Sequence, residues 1–187
     1  VIRLDPKNQE GLKKRGYLRY LQGDYQKAMA DLKSALAIDP RDQQSLEIRA
    51  DLEIKQGKKD AALKDYNALL SIKGPDASLL YKKASLLNDL GKRDEAQKDL
   101  TKALELKPGD FDALVLRARI FENRGDYSQA LDDLTKASSA RPQDRSVILE
   151  LAKIYKNQRN YDDAAKEFAQ AINLDPAAKD APQLYYA

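Results

Sequence analysis

The sequence predicts an all-α chain built as a stack of helix-turn-helix repeats, and three ladders of residues predict it. Pro6, Pro40, Pro75, Pro108, Pro142 and Pro176 are spaced by 34, 35, 33, 34 and 34 residues. Gly23, Gly57, Gly91 and Gly125 recur at 34, as do Ala28, Ala62, Ala96, Ala130 and Ala164. A fixed period of this length marks an array in which each repeat is one supersecondary unit that cannot bury its apolar face alone. The common register places repeats at 9–42, 43–76, 77–110, 111–144 and 145–178. Residues 1–8 read as the end of a preceding repeat, and 179–187 as the start of a capping helix or a tail.

The first element of each repeat is a helix, because apolar and small residues recur at three and four. Leu114, Arg117, Ala118 and Phe121 form one such stripe. Leu12, Leu46, Leu80, Leu114 and Ile148 keep one slot aliphatic, and Gly16, Ala50, Ala84, Ala118 and Ala152 keep another small. A glycine then ends the helix, where a left-handed turn is least costly. The fifth repeat departs, with Arg159-Asn160 at this turn. The second helix carries the invariant alanine and a large apolar column, Leu32, Tyr66, Leu100, Leu134 and Phe168. Alanine against the small slot lets the two helices approach closely. Asp39-Pro40 and Asp175-Pro176 stop the second helix, since proline disfavours helix in the residue before it. A one-residue shift at Gly74-Pro75 marks the junction of the second and third repeats.

An electrostatic pattern runs through the same frame. Arg15, Arg49, Lys83 and Arg117 each precede an acid by 16 residues, namely Asp31, Asp65, Asp99 and Asp133. A bridge from first to second helix is expected in these four repeats. It is expected to be missing in the fifth, which has Leu151 and Glu167 instead. Partly shielded charge-assisted pairs of this kind contribute on the order of 1 kcal/mol.

Composition narrows the function classes. With 33 basic and 30 acidic residues the charge is nearly balanced, so no nucleic-acid partner is expected. No apolar run approaches the ~20 residues of a bilayer span, so no membrane insertion is expected. No cysteine and no histidine are present, which removes thiolate metal sites and the commonest general base. Asp132-Asp133 and Asp162-Asp163 are adjacent acids, which point ~100° apart on a helix and do not converge on one ligand. Gly91-Lys92 lacks the flanking glycine of a phosphate loop. The expectation is a non-catalytic protein with no metal and no cofactor. The sequence assigns no compartment, the cytoplasm being favoured only slightly.

These columns resemble the tetratricopeptide repeat, whose pattern places a bulky residue, a small residue, Gly-x-Tyr, Ala, an aromatic, Ala and Pro across the period. In the fourth repeat Leu114, Ala118, Phe121, Gly125, Tyr127, Ala130, Leu134, Ala137 and Pro142 stand at those places. The second repeat departs with Lys59 for the tyrosine and Leu69 for the second alanine, and the third with Arg93. The resemblance implies an α-solenoid, a right-handed superhelix whose concave wall is lined by the first helices. It also implies a scaffold that binds a protein or peptide in that groove.

On the first helices, the slots not spent on packing lie three and four apart on one face. They include Lys13, Lys14, Tyr17 and Tyr20, then Glu47, Asp51 and Ile54, then Tyr81, Lys82, Ser85 and Asn88. In the later repeats they include Val115, Leu116, Arg119 and Asn123, then Leu149, Lys153, Lys156 and Asn157. The tyrosines suit a partner's apolar side chains, and the basic residues suit its acidic groups. Val115, Leu116 and Leu149 are expected to face outward and anchor an apolar partner. Some members of the family grip a C-terminal carboxylate with a clamp of two lysines, two asparagines and an arginine. Lys13 and Lys82 match two of those slots, but Tyr17, Ile48 and Ser78 occupy the others. Two alternatives stand beside the groove. One is self-assembly into a homo-oligomer through the end repeats or the tail Leu184-Tyr185-Tyr186, and the other is a regulatory arm of a larger enzyme.

Overall fold

In the computed structural model, which describes residues 8–178, each predicted repeat contains two helices and no strand occurs among the described residues. The first helices are α1 (Gln9–Leu21), α3 (Gln43–Lys55), α5 (Ala77–Asp89), α7 (Phe111–Arg124) and α9 (Arg145–Asn157). The second helices are α2 (Tyr25–Ile38), α4 (Lys59–Lys73), α6 (Arg93–Leu106), α8 (Tyr127–Ala140) and α10 (Tyr161–Leu174). Residues 1–7, with Pro6, and 179–187, with Pro182 and the tail at 184–186, lie outside the described residues. The helices divide between Lys92 and Arg93 into two compact units, α1–α5 and α6–α10. In the first, α1 packs on α2, α3 on α4, α2 on α3 and α4 on α5, and α1 also touches α3. In the second, α7 packs on α8, α9 on α10, α6 on α7 and α8 on α9.

Each first helix starts on a residue that satisfies an orphan backbone donor. Asn8, Asp42, Asp76, Asp110 and Asp144 accept from the N–H groups of Gly11, Ser45, Leu79, Ala113 and Val147. These caps are a further ladder at 34 residues, readable in the sequence alongside the proline ladder.

Each first helix ends in the same left-handed turn. The N–H groups of Asp24, Lys58, Lys92, Asp126 and Asn160 donate back to the carbonyls of Arg19, Glu53, Leu87, Phe121 and Tyr155, at 2.8–2.9 Å. This is the six-to-one bond of a Schellman turn. In four repeats the turn residue is glycine, and in the fifth it is Arg159, at φ 61°. The departure in sequence therefore changes the residue and not the geometry. The Gly74-Pro75 shift appears as a longer second helix: α4 has 15 residues where α2 has 14. It ends on Gly74 at φ 81° and ψ −172°, a region only glycine adopts readily.

The invariant alanines are buried, and so is the column Leu32, Tyr66, Leu100, Leu134 and Phe168. Gly16 is smaller than its counterparts for a local reason, since a Cβ there would meet Leu32 Cγ at 3.1 Å. The predicted bridges are bidentate where both members share a unit. Arg15, Arg49 and Arg117 each donate from Nε at 2.7 Å to one carboxylate oxygen of Asp31, Asp65 and Asp133, and from NH2 to the other. These hydrogen bonds hold all three guanidinium pKa values above the ordinary arginine value. Arg19 adds a second cation to Asp31 at 2.6 Å. Lys83 and Asp99 lie on α5 and α6, in different units. In the fifth repeat Leu151 is buried, and Glu167 makes no ion pair among the described residues.

Candidate partner-binding walls

In the first unit, ion pairs tie successive first helices into one wall. Lys13 on α1 reaches Glu10 at 2.6 Å and Asp42, the cap of α3, at 3.1 Å. Lys82 on α5 reaches Glu47 on α3 at 2.7 Å. Lys14 leans on Glu10 at 3.3 Å. The lysines expected to hold a partner's carboxylates are thus already matched by this chain's own acids, and Lys13 and Lys82 lie above the ordinary lysine range. For Lys13 the Glu10 hydrogen bond is the largest cause; for Lys82 desolvation is the largest and opposes the shift, and the Glu47 hydrogen bond together with the Glu47, Asp51 and Asp76 charges outweighs it.

The aromatic and polar residues of that wall differ in what they offer. Tyr17 is 39 % exposed. Tyr20 is half-buried against the cluster of Ala28, Met29, Leu32, Ile48 and Leu52, and its ring lies 6.1 Å from that of Tyr25. It is therefore partly a packing residue. Tyr81, Ser85 and Asn88 on α5 are half-buried. Asp51 on α3 is half-buried and makes no ion pair among the described residues. Burial pushes its carboxyl up, and Glu47 pushes the same way while Lys82 and Lys55 oppose. Below it, buried Tyr66 has its hydroxyl pushed up to about 12 by burial and by the Asp51 and Glu47 carboxylates.

In the second unit the same construction recurs: Arg119 on α7 pairs with Glu150 on α9. Asn123 is exposed and donates to the Arg119 carbonyl at 2.8 Å. Lys153 and Asn157 on α9 are exposed. Val115 corrects the expectation of an outward apolar anchor, because it is 8 % exposed and belongs to the core. The reason is that α7 packs on both α6 and α8, so its apolar stripe is wider than one neighbour requires. Leu116 is half-buried, and Leu149 is half-buried against Ala152, Ala164 and Phe168.

Two features escaped the sequence reading. The pairings of Lys82 with Glu47, Lys13 with Asp42 and Arg119 with Glu150 were not visible, because the partners are separated by 35, 29 and 31 residues and follow no fixed offset. The capping ladder was visible in principle, being strictly periodic. Among the described residues no group of three or more acids is placed to hold a metal ion, and no helix is long and apolar enough to cross a membrane.

Comparison with known proteins places this geometry. No curated protein sequence matches the chain. It resembles the crystal structure of a tetratricopeptide repeat protein from Parabacteroides merdae, with TM-score 0.85, 25 % identity, and coverage of 95 % of this chain and 72 % of that one. It resembles YrrB, described as a TPR protein with an unusual peptide-binding site, with TM-score 0.84, 17 % identity, and coverage of 100 % and 96 %. It also resembles MamA from Desulfovibrio magneticus, with TM-score 0.82, 15 % identity, and coverage of 91 % and 97 %. These likenesses establish a shared fold. Family models described as tetratricopeptide repeat match residues 1–43, 14–78, 81–145 and 123–185. With the 34-residue ladders, the paired helices and these matches in one register, the chain belongs to the tetratricopeptide repeat family.

Proposed function

We propose that the chain is a non-catalytic interaction scaffold that holds a segment of a partner protein against the walls formed by its first helices. The observation that carries this reading is the division of labour between the two helices of a repeat. The columns of the second helices are consumed by packing, whereas α1, α3 and α5, like α7 and α9, keep polar and aromatic residues accessible on faces locked by ion pairs. A face whose side chains are held in place loses little rotamer freedom on binding. Exposed tyrosine adds large rings at low entropic cost. YrrB, similar in fold, is described as having a peptide-binding site, which favours the same reading here.

The test is selection of peptides from a random display library on the full chain, followed by wall variants. Tyr17→Ala with Tyr81→Ala is expected to weaken selected peptides about tenfold or more, the loss typical of removing aromatic anchors. The melting temperature serves as the control for folding. Peptides that bind the double variant with undiminished affinity would refute the wall as the binding surface.

A further inference from the structure

The charges of the first unit's wall sort unequally. Three lysines point along it, and each is engaged by an acid of the same chain: Lys13 by Glu10 and Asp42, Lys14 by Glu10, and Lys82 by Glu47. Lys55, which stands one helical turn beyond Asp51 on α3, lies over the Tyr25 ring at 5.6 Å. What remains on the wall outside an ion pair is the half-buried carboxylate of Asp51, which accepts a hydrogen bond from the Tyr66 hydroxyl and has the Lys82 and Lys55 charges nearby but not in contact. A carboxylate held partly out of water, with Glu47 one turn away on the same helix, is in a position where an incoming positive charge is favoured. Aromatic residues stand on both sides of α3: Tyr17 occupies on α1 the repeat position that Asp51 occupies on α3, and Tyr81 lies one turn before the equivalent Ser85 on α5. Tyrosine faces attract guanidinium and ammonium groups.

We propose that the first unit takes a basic segment of its partner, with a lysine or arginine side chain seated on Asp51 between the helices that carry Tyr17 and Tyr81. This deepens the scaffold reading and rests on it. It also reverses the partner charge that the lysines alone suggest, because those lysines are occupied. Replacing Asp51 is the sharpest change: at the same repeat position the second unit carries Arg119 and Lys153, so the acid is particular to this wall, and an asparagine there can still accept the hydrogen bond of the buried Tyr66 hydroxyl.

The experiment uses the full chain immobilised against a positional-scanning library of dodecapeptides. Wild-type protein is expected to enrich Arg and Lys over Asp and Glu at one position by about tenfold, the size of one charge-assisted hydrogen bond. Asp51→Asn, which keeps shape and removes charge, is expected to abolish that preference with unchanged helical circular dichroism. Lys82→Gln is expected to retain it. Retention of acidic peptides, or an undiminished basic preference in Asp51→Asn, overturns the inference while leaving the scaffold standing. A library from which nothing is retained overturns both.

Discussion

At the scale of the residue, the chain rests on a few charges placed where water hardly reaches. Asp133 has a side chain only 1 % exposed and accepts with both oxygens from Arg117, whose third guanidinium nitrogen donates to the Thr101 hydroxyl at 3.2 Å. Removing the cation leaves a buried carboxylate without compensation, so Arg117→Ala is expected to cost about 3 kcal/mol, measured by urea denaturation. A loss under about 1 kcal/mol would show that the pair behaves as a surface bridge. Glu53 is the opposite case. It is 8 % exposed, one of its oxygens has no hydrogen-bond partner, and it occupies a column that holds Leu87, Phe121 and Tyr155 in later repeats. Burial, and next the Asp65 carboxylate, raise its pKa above the ordinary 4.5, while Arg49, Lys33 and Lys58 oppose. A raised folded-state pKa means that the fold prefers the protonated acid. The favourable contribution is complete below 4.5 and is lost as the pH rises through the folded value. Glu53→Gln is therefore expected to gain stability over wild type as the pH rises from below 4.5 to neutrality, in thermal melts across that range. A stability difference that does not change with pH contradicts this.

At the scale of the element, the helix ends show how much of the fold could be read directly. Prolines, turn glycines and the invariant alanines set the period, and two helices per period appear among the described residues. Arg159 shows what a periodicity argument leaves open: the column loses its glycine, yet the Schellman turn persists at φ 61°. Packing of α9 and α10 holds the turn against the local preference of the side chain. Left-handed backbone at a residue with a Cβ costs about 1–2 kcal/mol, and glycine returns part of that gain to the unfolded chain. Arg159→Gly is thus expected to raise stability by roughly 0.5–1 kcal/mol in denaturant titration, and a destabilised variant would contradict the account of this turn. The walls were harder to read. Helical spacing put Tyr17, Asp51, Lys82 and Lys153 on first helices, but it could not tell Val115, which is buried, from a surface residue. Nor could it reveal that Lys13, Lys82 and Arg119 are engaged between repeats, because those contacts depend on how helices are set side by side.

At the scale of the molecule, both helices of each repeat contribute to the buried columns, while the proposed binding surface lies on the first helices. Stacking buries the alanine and large apolar columns through nearest-neighbour contacts, which spread stability along each unit without a single central core. In the proposed function the first helices supply the contact surface, and ion pairs between successive first helices hold that surface before any partner arrives. Preorganisation of this kind lowers the entropic cost of binding. The direct measurement is hydrogen exchange by mass spectrometry on the full chain with and without a saturating selected peptide. The account predicts added protection in α1, α3 and α5, or in α7 and α9, with the second helices little changed; protection confined to α2, α4, α8 or α10 would contradict it.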